Sequence, residues 1–476
     1  MIEPFQSFSI RKYKDISDLL YHYNNYMSDG TKFITENFDY SEYKNFPYNF
    51  LTTVTRNYTD YDCFKSHVYE HKPHKHEDMN ESFYKMANEF KNAALECANY
   101  MTEDSRIDRL DLLIFPLAYL YRHSLELLLK ASIINDRIIQ GIKEKKQLLN
   151  ELNDNHDLGE LLGKKCEPTV VSNNKHINWL KLFLEDFSNF DKMSDSFRYP
   201  FKMFKDDNKI KIDYVFKEQT HLNLVLFVNK MEYAFQIIDH LYKNNLDELT
   251  SDNWNRYSAE SLENGGSYYG QSVVGQKYNN AELTTYADSY VTLAEHLFTL
   301  TIINKKTIQN KSFFKPICYL YQNAIELQIK DLVMLIFEDQ YALNLLYTNE
   351  KHDIKKLWDH ICEKLKHSTI SNFYSNEISK IEDLFEYLSP SDDTVPKSTY
   401  SYRNPVKKTV PISTHSFRYP VNKNGQDSFM DTKELNFHIG YVHHFFNDFF
   451  LACSTLFYNH SLHLEQLEEM KNYYTR

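Results

Sequence analysis

One stretch occurs twice in this chain, and it limits what the chain can fold into more than any other feature. Residues 116–130 read PLAYLYRHSLELLLK and residues 316–330 read PICYLYQNAIELQIK. Pro116, Tyr119, Leu120, Tyr121, Glu126, Leu127 and Lys130 thus recur at one constant offset, as Pro316, Tyr319, Leu320, Tyr321, Glu326, Leu327 and Lys330. Two more echoes follow in the same order. HDLGEL from His156 is answered by HDIKKL from His352, and SFRYP from Ser196 by SFRYP from Ser416. Three matched landmarks in one order imply a tandem duplication.

Each copy reads as helices. Phe83, Met86, Ala87, Phe90, Ala94 and Cys97 fall three and four residues apart and make one apolar stripe over about 81–101. Asn80 is placed to cap it. A second helix is predicted over 107–135, with Pro116 kinking it or marking its start, and Pro316 doing the same in the other copy. Asn155 or Asp157 can cap a third helix, Ile177, Leu180, Leu184 and Phe187 stripe a fourth, Pro200 of SFRYP closes that one, and a last helix covers 222–242. Ten glycines and 12 prolines among 476 residues leave little material for the turns of a sandwich or barrel. The predicted fold is all-α: two tandem antiparallel helical bundles from an internal duplication.

The predicted organisation has four parts. Residues 1–78 have no second copy and form an irregular arm with a short helix near 16–26. Residues 79–246 are the first bundle, and residues 247–278 are a polar linker holding Gly265, Gly266, Gly270 and Gly275. Residues 279–476 are the second bundle, in which Ala287 and Tyr290 answer Ala87 and Phe90, and Ile381, Leu384, Phe385 and Leu388 reproduce the stripe of the fourth helix. A segment with four prolines, 389–413, interrupts this bundle and reads as a mobile insertion. A flexible linker of this length lets the halves meet as an intramolecular pseudo-dimer, with further homo-oligomerisation open.

Charge and cysteine usage narrow the function classes. A net charge of −12 and a pI of 5.9 argue against extended non-specific contact with duplex nucleic acid, which needs a basic surface. Six cysteines are scattered without CxxC pairs and read as buried thiols of a reducing compartment. The N-terminus lacks the apolar core of a signal peptide, and no uninterrupted run of about 18 apolar residues is present. These features predict a cytoplasmic protein without a membrane partner. His67, His71, His74 and His76 cluster near Glu70, Glu77 and Asp78, but Pro73 breaks any helical spacing, so a solvated loop is the favoured reading and neither a metal nor another cofactor is predicted.

The chemistry-bearing residues gather on the repeated helix and on SFRYP. Arg122, Glu126 and Lys130 lie four residues apart on one face, where a solvated ladder of ion pairs is the ordinary explanation. Yet Glu and Lys persist as Glu326 and Lys330, whereas Ser124 has become Ala324 and Leu128 has become Gln328. Arg198 and Arg418 are natural partners for Glu126 and Glu326, because guanidinium and carboxylate pair bidentately. A structural ion pair pinning SFRYP to the helix is one reading. A polar pocket for a phosphate or acidic ligand is the other, with Glu126, Lys130, Glu326 and Lys330 as binding residues.

YRHSLELLLK, HDLGEL and SFRYP together resemble bacterial members of the HEPN superfamily, all-helical bundles many of which are RNA-cleaving toxins and antiviral effectors. The resemblance covers both copies. It implies an effector acting on RNA in stress or antiphage defence, with a metal-independent endoribonuclease as the reaction and a partner protein of a defence system. Such a reaction needs a base for the ribose 2′-hydroxyl, an acid for the leaving oxygen and a cation on the phosphorane. Arg122, His123, Arg198, His415 and Arg418 are the candidate catalytic groups, with His156 beside them. The family signature, an arginine followed four to six residues on by a histidine, is absent, and Gln322 and Asn323 stand where the first copy has Arg122 and His123. The alternatives are therefore a catalytically inactive sensor or scaffold, and a regulator that binds a nucleotide.

Overall fold

The computed structural model describes residues 68–71, 79–103, 106–141, 152, 155–166, 174–207, 209–275, 282–303, 313–347, 353–366, 375–388, 418–420 and 435–474. Twelve α-helices dominate them, as the apolar stripes require. In the first half these are α1 (Met79–Thr102), α2 (Ile107–Ile139), α3 (Leu158–Lys165), α4 (Lys175–Asp191), α5 (Leu224–Lys243) and the short α6 (Asn253–Arg256). In the second half they are α7 (Leu283–Ile303), α8 (Phe314–Ile336), α9 (Asp339–Tyr347), α10 (Ile354–Lys366), α11 (Ser375–Leu388) and α12 (Ile439–Tyr474).

The repeated stretch forms the middle of α2 and α8, and both helices are buried on every side there. All residues of α2 from Leu113 to Ile134 are buried, and all residues of α8 from Phe314 to Lys330. Helices α1 and α5 pack on α2, and α7, α10 and α12 pack on α8; α2 also touches α7, and α8 touches α1. A helix enclosed in this way has no solvated face, so each polar side chain on it needs a partner inside the protein. Helix α2 is long and apolar enough to cross a bilayer by length and composition, but 94% of its most apolar window is buried within the chain.

Local chemistry sets the helix ends. The Asp157 carboxylate accepts from the backbone N–H of Gly159 (2.9 Å) and Glu160 (3.1 Å) and starts α3. Asn174 does the same for α4 and Asn223 for α5. Asn80 lies inside α1 rather than capping it, and its amide donates to Asn135 Oδ1 at 2.9 Å. The two prolines differ in role. Pro316 falls in the first turn of α8, where its missing N–H costs nothing, while α2 begins nine residues ahead of Pro116 and runs through it. Helix α4 ends at Asp191, short of SFRYP, because the Asp191 carboxylate accepts from the N–H groups of Asp195 and Ser196 (both 2.8 Å) and turns the chain.

The helical reading missed three two-stranded antiparallel sheets. A hairpin of β2 (Phe201–Asp206) and β3 (Lys209–Tyr214) follows the first SFRYP; the alternation in KIKIDY was its signal. The other two sheets exchange strands between the halves. Strand β5 (Gln271–Val274), just ahead of α7, pairs with β4 (Thr220–Asn223), which leads into α5. Strand β1 (Val68–His71), ahead of α1, pairs with β6 (Leu435–His438), which leads into α12.

The stretch read as a flexible linker is held down. Lys230 is fully buried and donates to Ser258 Oγ (2.9 Å), to the Glu260 carbonyl (2.6 Å) and to the Glu263 carboxylate. Val273 N–H donates to Asp111 Oδ1 on α2 at 2.6 Å. At Gly275 (φ +127°) a Cβ would lie 2.3 Å from the Glu218 carbonyl oxygen, so only glycine fits this crossing. The expected helix near 16–26, most of the histidine cluster, the insertion 389–413 and His415 lie outside the described residues. Of the cluster only His71 is described, in β1. Among the described residues no group of His, Cys, Asp or Glu is arranged to hold a metal ion, and the five described cysteines are buried and free.

Candidate functional site

The candidate residues converge where α2 meets α8. Tyr119 and Tyr319, matched positions of the repeat, stack with ring centroids 4.6 Å apart and planes 9° apart. His123 lies beside both rings, 5.4 Å from Tyr119 (12°) and 6.4 Å from Tyr319 (15°), and Phe90 of α1 meets His123 edge-on at 4.8 Å. Around this aromatic centre Arg198–Tyr199 and Arg418–Tyr419 of the two SFRYP motifs dock crosswise. The segment of each half binds the helix of the other.

In one direction, Tyr199 donates to Glu326 Oε1 at 2.6 Å, and Lys330 Nζ donates to the same oxygen at 2.7 Å while lying 4.1 Å from the Tyr199 ring centroid. Arg198 Nη2 donates to Tyr199 Oη (2.8 Å) and stands 3.7 Å from Glu326 Oε2; its Nε donates to Asn323 Oδ1 at 3.3 Å. In the other direction, Tyr419 donates to Glu126 Oε1 at 2.7 Å, and Lys130 Nζ reaches that oxygen at 2.8 Å and lies 4.7 Å from the Tyr419 ring. The expected pairing of Arg198 with Glu126 is thus corrected. Arg198 faces Glu326, and Glu126 is held by Arg122, Lys130, His156 and Tyr419.

Arg122 has no freedom to meet a substrate. Its Nη1 donates to Glu126 and its Nη2 to the His156 carbonyl, and its Nε stands 3.3 Å from Asp191 Oδ2 with the side chain wholly buried. Burial alone would raise the Glu126 pKa, but Lys130, His156 and Arg122 outweigh it and hold the carboxyl well below its usual range. Burial pulls the Lys130 ammonium down, and Glu126 restores part of the loss. The Arg122, Glu126 and Lys130 ladder is a desolvated network and not the solvated row that such spacing ordinarily gives.

His123 is equally enclosed. The Arg418 carbonyl, 2.7 Å from Nε2, can only accept, so Nε2 carries the proton and Nδ1 is bare. Burial drives its pKa far below the ordinary histidine value, with Glu126 opposing, so the ring is neutral at physiological pH. A neutral histidine whose N–H is already engaged offers no acid to a leaving group.

Arg418 differs from its counterpart. The residue is 5% exposed, and its buried Nε and Nη2 have no hydrogen-bond partner. No described carboxylate neutralises it, and the Arg198 charge opposes it. Both guanidiniums lie 6.0 Å from the same Tyr119 ring centroid.

The structure therefore brings together Arg122, His123, Glu126, Lys130, Arg198, Glu326, Lys330 and Arg418. Sequence reasoning missed Tyr119, Asp191, Tyr199, Asn323 and Tyr419. The tyrosines were open to the same internal comparison that singled out Glu126 and Lys130, since each recurs in the second copy. No family model, curated protein or solved structure matches this chain.

Proposed function

We propose that the chain is a fused pair of HEPN-like bundles arising from the internal duplication and closed as an intramolecular pseudo-dimer. In this reading it serves RNA-directed stress or antiphage defence as a catalytically inactive sensor or scaffold, not as an endoribonuclease. The reciprocal docking of SFRYP on the opposite Glu/Lys pair supports the pseudo-dimer. One observation carries the loss of catalysis: Arg122 and His123 are both fully buried, with Arg122 tied to Glu126 and the His156 carbonyl and His123 Nε2 to the Arg418 carbonyl. An endoribonuclease needs an arginine and a histidine that can reach the scissile phosphate and its 2′-hydroxyl.

Incubating the purified full chain with labelled single-stranded and structured RNA tests the reading. No cleavage above that of buffer is expected. Cleavage above that of buffer that follows the chain through successive purification steps would restore the endoribonuclease.

A further inference from the structure

The buried charge around the tyrosine stack does not balance. Arg122, Lys130, Arg198, Lys330 and Arg418 bring five cations within 5% exposure, and the carboxylates that meet them are four: the buried Glu126, Asp191 and Glu326, and the part-exposed Asp195, 3.5 Å from Arg198. Glu126 and Asp191 are occupied by Arg122, Lys130 and His156, and Glu326 by Lys330, Tyr199 and Arg198. Among the described residues no carboxylate is left for Arg418. An uncompensated guanidinium in a protein interior costs several kcal/mol, so a fold that keeps one, beside a second guanidinium of the same sign, has something to set against it.

Most of the groups without partners at the tyrosine stack are donors; the bare His123 Nδ1 is an acceptor among them. Arg418 Nε and Nη2, Asn323 Nδ2 and Tyr119 Oη are buried atoms with no hydrogen-bond partner; the first three can only donate, and the tyrosine hydroxyl can. All sit at the tyrosine stack: Asn323 binds Arg198 through its carbonyl and is within 3.5 Å of the Tyr319 hydroxyl, and both arginines lie at one distance from Tyr119. Unmet donors and unmet positive charge in one place ask for one thing, an anion with several acceptor oxygens.

We infer that Arg418 and Arg198, with Asn323 and Tyr119, form a binding site for a small tetrahedral oxyanion of the phosphate type at the junction of the two halves. Each half supplies one guanidinium, so the bound ion bridges them, as the crosswise SFRYP contacts do. Burial of every participating group favours a free ion over a phosphate carried on a nucleoside. The inference is separate from the loss of RNA cleavage, because Arg122 takes no part in it.

Titration of the full-length protein with inorganic phosphate, followed by calorimetry and by thermal melting at ionic strength held constant with gluconate, tests it. One saturable site per chain is expected, with a rise in melting temperature of about 2 °C or more at saturation. Adenosine monophosphate should give a much smaller shift. Arg418→Gln should abolish the response to phosphate without lowering the melting temperature in phosphate-free buffer, since it removes a charge that then has no partner. Arg256→Gln, at a remote exposed arginine, should keep the response. Absence of saturable binding, an equal response in Arg418→Gln, or an Arg418→Gln variant that melts lower with and without phosphate would overturn it, and a shift with the nucleotide equal to that with phosphate would overturn the assignment to a free ion.

Discussion

The Tyr199 hydroxyl donates to the Glu326 carboxylate at 2.6 Å across 127 positions of sequence, and Tyr419 repeats the contact on Glu126 at 2.7 Å across 293. Both bonds join an SFRYP segment to the opposite half and end on a buried carboxylate already held by the lysine four residues further along its helix. A bond of this kind to a charged acceptor contributes more than a neutral one.

Tyr199→Phe and Tyr419→Phe remove only the hydroxyls and should each destabilise the fold by about 1.5–3 kcal/mol. The two sites use different carboxylates, so the losses should add to within about 0.5 kcal/mol in the double variant. Urea unfolding followed by circular dichroism measures this, and losses near zero would show that the crosswise docking is not fixed by these bonds.

Arg122 and Glu126 are two members of one enclosed network, and removing either strands the other. Arg122→Ala and Glu126→Ala should each cost about 3–5 kcal/mol, with the double variant well short of their sum. A double-mutant cycle read by equilibrium unfolding checks the coupling. Full additivity would mean that the two charges do not share a network.

Two partly buried groups predict opposite pH dependences. Burial, with Arg109 adding to it, pushes the His296 pKa down to about 4, so below about pH 6.5 the unfolded chain takes up a proton that the folded one refuses. Its contribution is complete above about 6.5 and fades as the pH falls towards 4. His296→Gln should therefore gain on the parent over that fall. Burial instead raises the Glu89 carboxyl to about 7 against the pull of Lys315 and Lys85, so its contribution is complete below about 4.5 and fades as the pH rises to 7. Glu89→Gln should gain on the parent over that rise. Melting temperatures from pH 4 to pH 7.5 would show the two differences sloping in opposite directions.

The exchanged strands give a further test. Deleting residues 1–71 removes β1 and leaves the edge of β6 without the pairing it has in the full chain. A lower melting temperature and concentration-dependent association are expected in sedimentation experiments, because an open strand edge invites pairing between chains. A monomeric truncation that melts at the parent temperature would show that β1 contributes nothing to the fold.

What the sequence determined by itself is the local order. Apolar stripes three and four residues apart gave α1, α2, α4 and α5 to within a few residues, and Asp157 capped α3 as its side chain allows, because these choices depend only on neighbours along the chain. The internal repeat also marked Glu126, Lys130, Arg198 and their second copies as special. Their partners were decided by tertiary structure alone. Nothing in the spacing of Arg198 and Glu126 tells a segment that folds back on its own helix from one that crosses to the other copy, since both copies offer the same Glu and Lys. The same holds for the ladder of Arg122, Glu126 and Lys130. On an exposed helix it would be a weak row of ion pairs, and it became a desolvated network only because other helices enclose α2 on every side.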